Sequence, residues 1–327
     1  MKREGVKRIA AWVVWVGLSL MSGCIQPPPP WEPNPNLRLV ISKANEEGCE
    51  IYSPVWGDGK IYYILGPWLT NNRDTVEIRT VNEGGKGDRK ICSLYLPRGP
   101  QGFLDISPDL SRLLTWADID YRVKFYIIDT SGITVESLQT DIQCGYNGTR
   151  CGKARFNSTG EKIFFSIDSL LVSIDIASGT VETLAVIPDG LKDVDPVDTG
   201  AVVGEGIGVG GEGFYYLDLS DYTMEYLSGL TNATSPRINP SYTSLLVHSD
   251  AGLEETVGGG IGLYDMVSKE SFIVDARPYE WSASTRDASW SPNGQSVVFA
   301  CGRYDGGGYS PCNELWIFDN IVEEISK

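Results

Sequence analysis

One short pattern recurs along this chain, and its recurrence limits the fold more than any other feature. "FLDISPDLSRLLTWA" (103–117), "ARFNSTGEKIFFSI" (154–167), "PRINPSYTSLLVHS" (236–249) and "ASWSPNGQSVVFAC" (288–301) share one grammar. A short strand reaches a Ser-Pro or Asn-Pro type turn, and after a polar interval an apolar strand follows. The turn positions Ser107, Asn157, Asn239 and Ser291 stand about 50, 80 and 50 residues apart, so the middle gap holds two units. A degenerate copy, "DVDPVDTGAVVGE" with "GFYYLDLSDYTMEYL", fills that gap, and "IYSPVWGDGKIYYIL" precedes the series. Each copy continues into a second apolar strand that ends near an Asp and a turn, as in "KFYIIDTSG", "LVSIDIASG", "GLYDMVSK" and "LWIFDN". A fourth strand such as "TVETLAV" usually closes the unit.

Six units of four short strands predict an all-β fold, a six-bladed β-propeller of four-stranded antiparallel blades. One blade has apolar faces that it cannot bury alone, and a ring lets neighbours cover them. The 37 glycines and 16 tyrosines suit many strands joined by tight turns. Ile106, Phe156, Ile238 and Trp290, just before the turns, are expected to pack between blades. Closure of the ring falls either to "NLRLVIS" (36–42) or to "IVEEIS" (321–326) as the outer strand of the last blade.

Ser107-Pro108-Asp109 and Ser291-Pro292-Asn293-Gly294, each followed by a strand running to an Asp, resemble the TolB-type, WD40-like propeller repeat over about residues 45–320. That resemblance implies a binding propeller. The chain departs from TolB in having no room for the α/β domain that precedes its propeller, so partnership with the peptidoglycan-associated lipoprotein Pal does not carry over. Peptidase relatives of the same repeat carry a hydrolase domain, which is missing too.

The first residues predict export. "MKREGVKR" is basic and "IAAWVVWVGLSLM" is a 13-residue apolar stretch, shorter than the roughly 20 residues of a spanning helix. "LMSGC" resembles a bacterial lipobox, with Cys24 as the lipidated new N-terminus. The expected organisation is a signal peptide at 1–23, the lipidated Cys and a Pro-rich stalk at 24–36, and the propeller at 37–327. This places the chain in the cell envelope, anchored to a membrane by lipid on the exported side, at the outer membrane if the cell has one. Six cysteines follow Cys24, and an exported chain oxidises them. Six allow 15 pairings. Local spacing favours Cys144 with Cys151 and Cys301 with Cys312, leaving Cys49 with Cys92.

Charge and chemistry narrow the function. A net charge of −16 argues against nucleic acid, which needs a basic footprint. His248 is the only histidine, so most zinc-hydrolase ligand sets cannot be assembled, and no GxSxG elbow is present. Gly206, Gly208 and Gly211 satisfy GxGxxG formally, but a strand-like run follows where a dinucleotide site needs a helix; a glycine-rich loop is expected. Asp193, Asp195 and Asp198 offer oxygen ligands without EF-hand spacing and with Pro196 among them, and a solvated turn is expected. No cofactor is called for.

The repeat register gives a sharper expectation. If the residue before each turn packs between blades, its predecessor faces the channel. That register selects Asp105, Arg155, Asp195, Arg237 and Ser289, with alternating charge near one mouth. Two readings of the set stay open: self-neutralising structural ion pairs, or a polar site for a peptide or ligand. The expected function is a non-catalytic envelope lipoprotein whose propeller binds a protein, a peptide or another ligand. The enzymatic alternative is a carbohydrate-active hydrolase or lyase using channel carboxylates, with Trp68 or Trp281 as sugar platforms.

Overall fold

Each copy of the repeat folds into a four-stranded antiparallel sheet. The computed structural model describes residues 32–43, 49–67, 75–96, 103–144, 149, 151–186, 191–197, 201–208, 211–227, 233–240, 244–249, 260–279, 282–303 and 312–324. Residues 1–23, Cys24, Trp68 and Trp281 lie outside them, as does the side chain of His248. Strand β1 is Leu37–Ser42. Sheet one holds β2 (Cys49–Trp56), β3 (Lys60–Pro67), β4 (Thr75–Asn82) and β5 (Arg89–Tyr95). Sheet two holds β6 (Asp105–Ile106), β7 (Arg112–Ile119), β8 (Arg122–Asp129) and β9 (Val135–Gln143). Sheet three holds β10 (Arg155–Phe156), β11 (Lys162–Ile167), β12 (Leu170–Asp175) and β13 (Val181–Val186). Sheet four holds β14 (Leu191–Pro196), β15 (Ala201–Gly208), β16 (Gly211–Asp218) and β17 (Met224–Tyr226). Sheet five holds β18 (Ala233–Ile238), β19 (Ser244–Ser249), β20 (Gly260–Asp265) and β21 (Ser271–Asp275). Sheet six holds β22 (Ser282–Trp290), β23 (Val297–Arg303), β24 (Cys312–Phe318) and, as its outer strand, β1.

The N-terminal strand therefore joins the last sheet, pairing antiparallel with β24 from Leu37↔Phe318 to Ser42↔Glu314. The alternative closing segment instead forms the short helix α1, Ile321–Glu324. The first strand of each sheet touches the first strand of the next, and β22 touches β2. The result is a propeller-like arrangement of four-stranded sheets.

Strand alternation explains why the second strands are apolar on both faces. In β3, Ile61, Tyr63 and Leu65 point to a cluster shared with sheet six, and Tyr62 and Ile64 to one shared with sheet two. In β23, Val298 and Ala300 face sheet one while Val297 and Phe299 face sheet five. Each fully buried side chain of this kind contributes about 1.5–3 kcal/mol. Phe156 and Trp290 lie in such clusters, and Ile106 and Ile238 pack against them half-buried. Outer strands such as β13 are largely exposed and bury little.

The turn residues repeat their hydrogen bonds. Ser107 Oγ accepts from Arg112 N, Asn157 Oδ1 from Lys162 N, and Ser291 Oγ from Ser296 N, at 2.9, 2.9 and 3.0 Å. A short polar side chain at this position thus ties the reversal to the residue five places on. The fourth turn residue has a left-handed backbone: Gly160 at φ 75° and Gly294 at φ 69°, but Leu110 at φ 61° in sheet two. At the next turn, Asp129, Asp175, Asp218 and Asp265 each accept amide bonds from the following residues.

Cys144 and Cys151 form a disulfide joining the end of sheet two to the approach to sheet three. The other two expected pairings are not made. Cys301 lies opposite Glu314 and Cys312 opposite Gly302, so the two thiols project from opposite faces of sheet six into separate clusters. Cys49 and Cys92 are likewise divided between the two faces of sheet one. The GxGxxG glycines are not a loop either: Gly206 pairs with Gly213 and Gly208 with Gly211 in the β15–β16 hairpin.

Candidate functional site

Because residues two apart on a strand share a face, the first strands send side chains to the centre in layers. Asp105, Arg155, Asp195, Arg237 and Ser289 form the outer layer. The structure brings the four charged members together. Arg237 Nη1 donates to Asp105 Oδ1 at 2.5 Å and lies 3.7 Å from Asp195 Oδ1, which is 3.5 Å from Arg155 Nε. Ser289 is buried on the cavity wall beside them.

Two residues earlier along the chain, on β14 and β22 or just ahead of β6 and β10, stands an inner layer that the register reading missed. Lys153 lies 3.5 Å from Asp193 and 3.6 Å from Asp287, with its ammonium 3.1 Å over the Phe103 ring. Arg155 links the layers, 4.0 Å from Asp193. The signal was available in sequence, since 103, 153, 193 and 287 each precede an outer-layer position by two. Asp193 is buried and paired here, not part of a solvated turn.

Three of the aspartates also fasten neighbouring sheets through backbone amides. Asp105 Oδ2 accepts from Phe156 N at 2.8 Å, Asp195 Oδ2 from Ile238 N at 2.7 Å, and Asp287 Oδ2 from Ser53 N at 3.2 Å. They connect sheet two to three, four to five, and six to one. Arg237 adds Nη2 to Leu104 O at 3.2 Å. Charge-assisted bonds of this kind are about twice as strong as neutral ones.

Burial acts strongly on three members of the ring. It pushes the Asp195 carboxyl up to about 6, against the pull of Arg237 and Arg155. It also lowers Lys153, opposed by Asp193 and Asp287. For Arg237, burial pulls downward, and Asp105 with Asp195 more than restores it.

Above the outer layer opens a cavity of about 310 Å³. Every sheet lends it the end of its first strand, and sheets two, three, five and six add the turn that follows. Trp56 comes from sheet one, Pro108 from two, Phe156 from three, Pro196 from four, Pro240 from five and Trp290 from six. The indoles are pinned: Trp56 Nε1 donates to Glu83 at 2.6 Å and Trp290 Nε1 to Arg237 O at 3.0 Å. Below the ring, a second cavity of about 10 Å³ touches Lys153, Arg155, Arg237 and Asp287. That is room for about one water.

This geometry defines a β-propeller-like repeat protein with a polar ring under a rimmed mouth. No family model and no curated protein matches the chain. Solved structures do resemble it. TolB from Acinetobacter baumannii superposes with a TM-score of 0.54 at 13% identity, covering 84% of this chain and 79% of that one. An oligogalacturonate lyase in complex with manganese gives 0.52 at 11%, covering 86% and 92%. A chain of a mitotic checkpoint complex gives 0.53 at 10%, covering 88% and 96%. At these identities the likeness is one of fold. Among the described residues, no group of three or more His, Cys, Asp or Glu side chains is placed to hold a metal ion.

Proposed function

We propose that the chain is a six-bladed propeller that binds a partner polypeptide at its channel mouth, held on the exported face of a membrane by lipid at Cys24. One observation carries the docking reading: the ends of the first strands of all six sheets, with the turns that follow in sheets two, three, five and six, converge on one cavity, walled by proline and aromatic rings over a charged floor. Concave sites with apolar walls and a few polar groups are the usual form of a binding site. The six clusters between successive sheets support the blade count. One similar fold is a chain of a mitotic checkpoint complex, which supports a protein as the class of partner. The basic leader, the apolar stretch and "LMSGC" support the anchor.

The carboxylates of the mouth fit binding better than glycan hydrolysis, because Asp105 and Asp195 each hold a backbone amide of the next sheet and an arginine. A photo-cross-linking residue at Ser158, on the mouth wall, should capture a specific protein in the native envelope. The same probe at Val186, 68% exposed on an outer strand, should not. Capture from Val186 alone would move the docking surface to the sheet edge. Cys24→Ala should shift the chain from the membrane fraction to the soluble one, and continued membrane retention would refute lipid anchoring.

A further inference from the structure

The chemistry of the occupant follows from a charge left unmet at the centre, an inference that rests on the docking reading above. Four carboxylates, Asp105, Asp193, Asp195 and Asp287, meet three cations, Lys153, Arg155 and Arg237. On the mouth side the deficit falls at Asp195. Asp105 has both oxygens in short bonds, to Phe156 N and to Arg237. Asp195 Oδ2 is held by Ile238 N, but Oδ1 has only the contacts at 3.5 and 3.7 Å to Arg155 and Arg237. A charge-assisted bond closes to about 2.7–2.9 Å. Neither arginine closes to that distance in the structure: Arg237 is engaged with Asp105 and Leu104 O, and the buried Arg155 keeps its Nε 3.5 Å from Oδ1. Asp195 borders the mouth cavity.

The walls suit the same occupant. Trp56, Phe156 and Trp290 are among the residues lining the cavity, and apolar wall of this kind covers the stems of lysine and arginine. A net charge of −16 draws basic surfaces toward the molecule at long range. An anionic occupant would meet the opposite conditions, with Asp195 before it and Arg237 already engaged.

We propose that the mouth receives one cationic side chain, Lys or Arg, presented by the partner polypeptide, with Asp195 Oδ1 as its acceptor. The probe is a capped Gly-Ser-Arg-Ser-Gly peptide, titrated calorimetrically into the full chain beside the same peptide with citrulline, which keeps the shape and removes the charge. The arginine peptide should bind at least about tenfold more tightly. That preference should vanish in Asp195→Asn, which retains an acceptor for Ile238 N, and should survive in Glu225→Ala, whose exposed carboxylate pairs with Lys269 on an outer strand. Equal affinities for the two peptides on the wild-type chain would overturn the inference without relying on any variant. A preference that persists in a folded Asp195→Asn would overturn Asp195 as the acceptor. Capture of a protein at Ser158 through a segment lacking Lys and Arg would end this inference and leave the docking reading standing. Failure of capture at Ser158 together with no binding of either peptide would remove both.

Discussion

Replacing Asp105 by alanine tests whether the central ring fastens the sheets. The side chain is 6% exposed and accepts from Phe156 N at 2.8 Å and from Arg237 at 2.5 Å. Its loss strands a buried guanidinium and a buried amide together, and breaking such a pair costs about 3–5 kcal/mol. The compact unit Asn34–Lys327 unfolds with an entropy of about 0.6 kcal/mol/K, at about 2.1 cal/mol/K per residue. The melting temperature should therefore fall by about 5–8 °C. Asp105→Asn keeps an acceptor for Phe156 and should lie between wild type and alanine. The control is Glu225→Ala, whose partner Lys269 sits in a pair 48% and 61% exposed. Removing it should cost under about 1 kcal/mol and shift the melt by less than about 2 °C. Differential scanning calorimetry reads all three. An Asp105→Ala melt no lower than that of Glu225→Ala would refute the fastening role.

Three further outcomes follow from the same structure. Leu110 holds the left-handed turn position that Gly160 and Gly294 fill elsewhere, so Leu110→Gly should gain about 1 kcal/mol in urea denaturation, and a net loss would show that its side-chain packing outweighs the backbone strain. Asp195 binds its proton more tightly folded, near 6, than unfolded, near 3.8, so its contribution is fully present below pH 4 and is lost as pH rises through 6. Over that window wild type should lose about 3 kcal/mol relative to Asp195→Asn in paired urea midpoints, and parallel pH profiles would contradict the assignment. Opening the Cys144–Cys151 disulfide by replacing both residues with serine should cost about 2 kcal/mol for its short loop, and an unchanged stability would mean that the loop is already ordered without it.

Repeat grammar made much of this legible before any coordinates. Side-chain hydrogen bonds at Ser107, Asn157 and Ser291, and the alternation of apolar residues, are local properties that a strand–turn–strand pattern records. The outer layer of charge came from the same register, because Asp105, Arg155 and Arg237 each precede a residue at an interface between sheets, and Asp195 holds the matching place in the degenerate copy. Asp287 was harder to see. The β22–β23 pairing slips between Arg286 and Ser289, and Asp287 takes a φ of 52°, so its place two residues before Ser289 marks the position but not the bulge that aims its side chain at Ser53 and Lys153. Cysteine pairing failed for a related reason: Cys301 and Cys312 are near in sequence, but register places them on opposite faces of one sheet. The choice between β1 and the C-terminal segment for the outer strand of sheet six is also non-local, since it turns on which of the two reaches β24 in the closed ring.

Hydrogen exchange on the full chain, with and without the protein captured at Ser158, tests the docking claim most directly. Exchange should slow in the partner's presence at the first turns of sheets two, three and six, around 107–112, 157–162 and 291–296, with the outer strand Val181–Val186 unchanged. Protection confined to the outer strands, with those turns exchanging as before, would contradict it.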